Sequence, residues 1–186
     1  MANNGFIPPH GNYKKLKSYQ KSLIVYDCTV IFCRRFFTKY DRTVDQMVQA
    51  ARSGKQNIIE GCMASGTSRG TEIRLLGVAR ASLEELLEDY HDFLRSKNCE
   101  LWSNESEQVG YIRKQARGDH ESFDTYREFI ETRDGSTCAN ILICLVHQAN
   151  YLLDQQIRRL EKDFINNGGL RERMYKARSV NRRNDL

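Results

Sequence analysis

The amino-acid sequence predicts an all-α protein, an antiparallel up-down four-helix bundle with a short helical hairpin inserted between the third and fourth main helices. The chain of 186 residues has two prolines, Pro8 and Pro9, so the sequence beyond them can form long uninterrupted helices. Apolar residues recur along several segments at alternating spacings of three and four, which is typical of helices that pack nearly parallel. Hydrophobic residues make up 40% of the chain, enough for one packed core.

An apolar seam indicates the first main helix. Its members are Leu16, Tyr19, Leu23, Tyr26, Val30, Cys33 and Phe37. The second helix is expected to begin at a capping box, in which the side chains of Thr43 and Gln46 satisfy free backbone N–H groups. Its apolar face ends near Cys62, and the glycines from Gly61 to Gly70 predict a helix stop, a loop and a restart.

The third helix carries a second clear seam. Its members are Ile73, Leu76, Leu83, Leu87, Tyr90 and Leu94. Two short amphipathic segments at about 98–135 predict the inserted hairpin, and the fourth helix is expected to run from Ser136 to Gly168. We therefore expect a flexible N-terminal segment at 1–12, one bundle domain at 13–168 and a mobile basic C-terminal tail at 169–186.

Hydropathy and cysteine usage favour the cytoplasm. No apolar run approaches the roughly 18 residues that a membrane span needs. The first residues show neither the basic nor the apolar region of a signal peptide. The six cysteines form no C-x-x-C pair, and most stand among apolar neighbours, so we expect free, buried thiols. The sequence thus predicts a cytoplasmic protein without membrane contact.

The sequence contains no complete catalytic motif among those tested. A di-metal site in a four-helix bundle needs two Glu-x-x-His motifs, and the sequence supplies one, at Glu88 and His91. We interpret that pair as part of a solvated acidic helix face, because half of a di-metal site does not bind metal. The glycine-rich stretch matches no phosphate-binding motif. We therefore expect no enzymatic activity, no metal and no cofactor.

Charge is more informative than motifs, although the net charge is only +5. In the heptad frame of helix one, three basic residues fall opposite the core: Lys14, Lys21 and Arg35. Four more flank them: Lys15, Lys17, Arg34 and Lys39. The tail adds Arg171, Arg173, Lys176 and Arg178. Acidic residues occupy the outer face of helix three: Glu85, Glu88, Asp89 and Asp92.

Three interpretations of these faces stay open. In the first, the basic and acidic faces are ordinary solvated helix surfaces. Alternatively, the basic and acidic faces meet head to tail between subunits, which closes a ring or extends a filament. Finally, the helix-one stripe and the tail track a phosphate backbone, in which case affinity falls steeply with salt.

Motifs on helices two and three resemble a known family. Gln46, Arg52-Ser53 and the run from Asn57 to Gly61 resemble the second-helix signature of the four-helix bundle proteins encoded by intervening sequences in bacterial large-subunit ribosomal RNA genes. The run from Ala79 to Leu86 resembles the family's third-helix motif. The same family includes the accessory variability protein of diversity-generating retroelements. The resemblance covers residues 13–97 and, more loosely, helix four.

The resemblance implies an up-down four-helix bundle that assembles as a barrel-like homopentamer. For the retroelement member it implies contact with nucleic acid and work beside a reverse transcriptase. The hairpin at 98–135 and the tail depart from the compact family, so the chain resembles a longer, suffix-bearing branch.

We interpret the matched residues as structural. The small polar residues Ser53, Asn57 and Ser82 let helices two and three approach and hydrogen-bond. A partly buried ion pair is also expected, which joins one of Arg52 and Arg80 to one of Glu60 and Glu85.

The leading interpretation is a non-enzymatic, homo-oligomeric bundle that binds structured RNA, single-stranded nucleic acid or a nucleoprotein partner, such as a reverse transcriptase, through basic surfaces. The alternative is a protein-interaction oligomer with no nucleic-acid role.

Overall fold

A computed structural model of the chain describes residues 11–38, 40–118 and 121–184, with side chains through Ser179. Most of the predicted N-terminal segment and Lys39 lie outside the described residues. Within them the secondary structure is entirely helical, which confirms the all-α class. The elements are a 3-10 turn at Tyr13–Lys15, α1 (Lys17–Phe36), α2 (Arg42–Ala64), α3 (Arg69–Ser96), α4 (Glu107–Gln115), α5 (Asp124–Thr132), α6 (Gly135–Asn167) and α7 (Leu170–Asn184).

The four long helices contact one another in a closed order. α1 packs against α2 and α6, and α3 packs against the same two helices. The short helices lie on this group, α4 against α6 and α5 against α1. Large, fully buried side chains from each long helix and from α5 form one core, among them Phe32, Met47, Leu83, Tyr90, Tyr126 and Leu142. No helix among the described residues is long and apolar enough to cross a bilayer.

The buried face of α1 differs from the predicted seam. Leu16, Leu23 and Val30 are only partly buried, whereas Val25 and Phe32 are completely buried. Polar residues share the buried face: Ser18, Lys21, Ser22 and Thr29. The predicted seam is therefore only part of the buried face. Cys33 lies in the core, and Leu16, Tyr19, Tyr26 and Phe37 are partly buried against it.

The start of α2 also differs from the prediction. The helix is capped by Asp41, whose carboxylate accepts a hydrogen bond from the Thr43 backbone N–H at 2.9 Å, so the proposed Thr43–Gln46 capping box is wrong. At its other end α2 continues through Gly61 to Ala64. The connection to α3 is consequently short and carries the α3 N-cap, Ser68.

Helices α2 and α3 approach closely at small residues. A Cβ atom built on Gly54 would lie 2.8 Å from the buried Leu83 side chain. The Ser53 and Ser82 hydroxyls are 2.9 Å apart, and the Asn57 amide donates to the Ser53 carbonyl at 2.9 Å. The Ser53–Ser82 pair thus joins the two helices, whereas Asn57 bonds within α2.

The expected ion pair between α2 and α3 is wrong. Arg80 instead reaches α6, where its guanidinium donates to Asp154 at 2.7 Å, and it lies 3.6 Å from Glu84. The other candidates are exposed and form no ion pair among the described residues: Arg52, Glu60 and Glu85. Because Arg80 is only partly buried, its ion pair with Asp154 contributes little to stability. The pair fixes the position of α3 along α6.

The chain end is helical where the sequence suggested a mobile tail. α6 ends at Gly168 as predicted, with a φ of 66° that favours glycine. After Gly169 the chain resumes as α7. The carboxylate of Glu172 accepts a hydrogen bond from the Gly169 N–H at 2.8 Å, which satisfies a free donor at the start of this helix.

Matched glycine substitutions test the close approach of α2 and α3. Gly54→Ala forces a methyl group against Leu83, so we expect a net loss of about 1–2 kcal/mol in the free energy of unfolding, despite the better helix propensity of alanine. Gly77→Ala is the control, because a Cβ at this α3 position meets no atom within 4 Å. We expect Gly77→Ala to raise the free energy of unfolding by about 0.5–1 kcal/mol. Urea unfolding followed by circular dichroism measures both, and two changes of the same sign would contradict the packing.

Candidate nucleic-acid interface

Lys21, predicted on the exposed face of α1, is buried. Its side chain is 4% exposed, and its ammonium group donates to Glu121 and, at 2.7 Å, to the Gln148 side-chain oxygen. Burial lowers the pKa of Lys21, while the hydrogen bond to Glu121 acts in the opposite direction. The prediction that Lys21 is available to a partner is therefore wrong.

The segment between α3 and α6, which we call the insertion, causes this burial. Tyr126 and Ile130 of α5 are completely buried in the core, and the Tyr126 hydroxyl donates to the same Glu121 carboxylate at 2.5 Å. Burial, together with that hydrogen bond, raises the pKa of Tyr126. Lys21 also lies 5.9 Å from the centre of the Tyr126 ring. A polar cluster of Lys21, Glu121, Tyr126 and Gln148 thus joins α1, the insertion and α6.

Arg35, near the C-terminal end of α1, is also engaged in contacts within the chain. Its guanidinium donates to the Ile130 carbonyl and, at 2.9 Å, to the Arg133 carbonyl, both at the C-terminus of α5. It also stacks 4.5 Å from the centre of the Phe36 ring. A cation at the carbonyl end of a helix is favourable. Arg35 therefore ties α5 to α1, although part of its side chain is exposed.

The remaining basic residues of the predicted stripe divide between two ends of the molecule. Lys14, Lys15 and Lys17 are exposed around the start of α1, and Arg34 is exposed near its end. The predicted stripe is therefore broken in the middle, where the insertion covers the helix.

Packing of α1 against α6 brings further basic residues to the start of α1. The Ser18 hydroxyl, in the first turn of α1, donates to the Gln156 side chain at 2.6 Å, in the second half of α6. Arg35, near the end of α1, lies 3.6 Å from Cys138 near the start of α6. The two helices are thus antiparallel, and α6 continues past the start of α1 to Asn167 before the chain enters α7.

We call this region the basic end and define it by its exposed basic side chains: Lys14, Lys15, Lys17, Arg158, Arg159, Lys162, Arg171, Lys176 and Arg178. Arg173, also predicted as a contact, is partly buried, and its Nε atom has no hydrogen-bond partner among the described residues. The α6 members were missed from sequence, because exposed arginines on a helix carry no signal without the pairing of α1 with α6.

Few carboxylates offset the charge of the basic end. Asp154 is paired with Arg80, and Glu172 is engaged with the Gly169 backbone. Those hydrogen bonds to backbone N–H groups lower the pKa of Glu172. Glu161 is exposed and Asp163 partly exposed on α6. Exposed cations therefore predominate, which is the electrostatic arrangement that phosphate binding requires.

The acidic face of α3 is exposed as predicted at Glu85, Glu88 and Asp92, whereas Asp89 is partly buried. His91 Nδ1 lies 3.5 Å from Glu88. Across the described residues, no group of three or more His, Cys, Asp or Glu side chains is arranged to hold a metal ion.

Comparison with known proteins adds no relative. Neither a family model, nor a curated protein, nor a solved structure matches this chain. The family resemblance of α2 and α3 accordingly stays a prediction.

Substitution of Lys21 tests the buried polar cluster. Lys21→Met leaves the Glu121 carboxylate buried without its cation, so we expect a loss of about 3–5 kcal/mol in the free energy of unfolding. Lys17→Met, at an exposed position, is the control and should stay within about 0.5 kcal/mol of the original protein. The double variant Lys21→Met/Glu121→Gln should recover part of the loss. Equal, small effects of both single variants in urea unfolding would show that Lys21 is not buried.

The pH dependence of stability tests the partial burial of Asp89. Burial, followed by the nearby Glu85 charge, raises the pKa of Asp89 to about 6 from 3.8. The folded protein therefore binds a proton at Asp89 more tightly than the unfolded chain does. The stability contributed by the protonated carboxyl is lost as pH rises from about 4 through about 6.

Asp89→Asn should remove that dependence and raise the free energy of unfolding near neutral pH by about 1 kcal/mol. Glu88→Gln, which removes an exposed charge from the same face, is the control. Parallel pH profiles of the original protein and Asp89→Asn between about pH 4 and about pH 8 would contradict the assignment.

Proposed function

We propose that the chain is a non-enzymatic, homo-oligomeric helical-bundle protein that binds structured RNA or single-stranded nucleic acid, alone or within a nucleoprotein complex such as one with a reverse transcriptase. The observation that carries this proposal is the basic end. Antiparallel packing brings the exposed cations at the start of α1 beside those of the second half of α6, and α7 adds further exposed cations after Gly168.

The proposed architecture is an antiparallel up-down four-helix bundle of α1, α2, α3 and α6, in which α4 and α5 form the inserted hairpin. Support comes from the closed order of helix contacts and from the short connections between α1, α2 and α3. In this arrangement the ends of α2 and α6 and the starts of α1 and α3 share one end, which is the basic end. α7 continues from it.

Aromatic side chains extend the chemistry of the basic end beyond charge. Phe164 of α6 is 42% exposed, and Tyr175 of α7 is 73% exposed. Stacking of an unpaired base on an aromatic ring contributes about 1–3 kcal/mol. Cations flanked by exposed aromatic rings favour nucleic acid with unpaired bases over a uniform duplex.

The proposal also places the protein in the cytoplasm and outside membranes. All six cysteines are free, and four of them are buried. Reduced thiols of this kind are typical of cytosolic proteins.

A matched pair of triple variants tests nucleic-acid binding. Lys14→Gln/Lys15→Gln/Lys17→Gln removes three cations from the basic end. Arg34→Gln/Arg42→Gln/Lys97→Gln removes three exposed cations from the opposite end and leaves the same net charge. Fluorescence anisotropy with a labelled RNA hairpin and a single strand of about 16 nucleotides, at about 50 and about 200 mM salt, measures affinity and its salt dependence.

We expect binding that weakens steeply with salt. The basic-end variant should weaken binding to both RNA ligands. It should also reduce the slope of log affinity against log salt concentration by about two to three. The opposite-end variant should change little. Absence of binding at the lower salt concentration, or equal effects of the two variants, would contradict the proposal.

A purely structural oligomer is the second candidate, and the outer face of α3 favours it. Val78 is 44% exposed beside the exposed small residues Gly77 and Ala81, and the acidic face continues from there. Lys21 and Arg35 are engaged within the subunit, so a head-to-tail interface would use the basic end instead. Light scattering at low and high salt measures the mass, and the resemblance leads us to expect a pentamer. A monomer at all concentrations would exclude any oligomer.

A further inference from the structure

A large cavity lies between the bundle and the inserted segment. Its volume is about 1420 Å³, and it is lined by α1 and α6 on one side and by residues of the insertion on the other. Small-molecule sites commonly occupy about 300–1,000 Å³. The space therefore exceeds what a drug-sized molecule needs, and it is distinct from the surface of α7 and the α6 arginines.

The lining combines an apolar body with cationic groups. Aromatic and aliphatic side chains form most of the apolar wall: Ile24, Leu101, Trp102, Val109, Phe123 and Ile143. Arg113 and Arg117 bring positive charge from the insertion. Arg113 donates to Asn104 through two of its nitrogens, at 3.0 Å each, which holds its guanidinium at the cavity.

Carboxylates in the lining do not cancel this charge. Glu121 is bonded to the Lys21 ammonium and the Tyr126 hydroxyl. Asp27 is the other carboxylate, and the four cations Lys17, Lys21, Arg113 and Arg117 outnumber these two carboxylates in the lining. The guanidinium groups of Arg113 and Arg117 form no ion pair among the described residues.

Gln148 adds an oriented donor to the wall. Its side-chain oxygen accepts from the Lys21 ammonium at 2.7 Å, which fixes the direction of the amide. The NH₂ group on the other side is buried and has no acceptor among the described residues. A buried donor without an acceptor costs about 1–3 kcal/mol, so a ligand oxygen that accepts from this amide would recover that cost.

We propose that this cavity binds a small organic anion, whose aromatic or aliphatic body packs against the apolar wall and whose carboxylate or phosphate meets Arg113, Arg117 and the Gln148 amide. The cavity adjoins the basic end at Lys17, but Arg113, Arg117 and Gln148 are not part of that surface, so the proposal holds whether or not the basic end binds RNA. The insertion, which lies outside the four long helices, supplies both arginines and about half of the apolar wall.

The test uses 8-anilinonaphthalene-1-sulfonate, an aromatic anion whose fluorescence rises in an apolar site. We expect saturable one-to-one binding to the folded protein. Laurate and AMP, added as competitors, distinguish a carboxylate on an aliphatic body from a phosphate on an aromatic one, and we expect one of them to displace the probe. Dodecanol, the uncharged counterpart of laurate, should displace it poorly.

Three variants locate the site. Arg113→Gln/Arg117→Gln should weaken probe binding about tenfold, because two charge-assisted contacts are lost. Gln148→Glu keeps the shape and gives Lys21 a second carboxylate, but it replaces the donor by a negative charge, so it should abolish binding while urea unfolding shows a folded protein. Arg34→Gln/Arg159→Gln, with both positions exposed outside the cavity, is the control and should bind normally.

The proposal is overturned if the probe does not saturate, if neither competitor displaces it, if dodecanol competes as well as laurate, or if the control pair weakens binding as much as the cavity pair. Retained RNA binding by the cavity variants would confirm that the two surfaces act independently.

Discussion

An ammonium group removed from water must find partners within the protein, because its desolvation costs several kcal/mol. Lys21 faces this constraint in the middle of α1. Its partners come from distant parts of the chain, Glu121 from the insertion and Gln148 from α6. Once these contacts form, the insertion is held against both helices at one register. Arg35 then fixes the end of α5 to the same helix.

The position of the insertion determines which charges remain available. It covers the middle of the α1 face, so the cations at the two ends of that helix become separate surfaces. The antiparallel pairing of α1 with α6 places one of these groups beside the arginines of α6. The same insertion spans a space that its own helices do not fill, which leaves the cavity lined by Trp102 and Arg113.

Much of the fold could be predicted because α3 and α6 obey simple apolar spacing. Leu76, Leu83 and Tyr90 are all completely buried, as expected of a seam. α1 was not predictable in this way. Ser18 and Thr29 face inward where polar partners meet them, Gln156 at 2.6 Å and Tyr90 at 2.8 Å. The buried Ser22 hydroxyl has no hydrogen-bond partner among the described residues. The residue that pairs with Lys21 is 100 positions away, so local sequence gives no sign of it.

The candidate site was predictable only in part. Lysines at the start of α1 and arginines in the last helix stand out from charge alone, whereas Arg158, Arg159 and Lys162 gain meaning only once α1 and α6 are paired. The helical state of α7 could not be predicted from its few apolar residues. Its first turn depends on Glu172, whose carboxylate satisfies the Gly169 N–H.

Lysine acetylation followed by mass spectrometry, with and without RNA, tests the central claim most directly, because it measures the burial of Lys21 and the location of the interface together. The account predicts that Lys21 stays unmodified in the free protein, and that RNA protects Lys14, Lys15 and Lys17 but leaves Lys97 reactive. Modification of Lys21 as fast as of Lys97, or equal protection of Lys97 and the basic end, would contradict it.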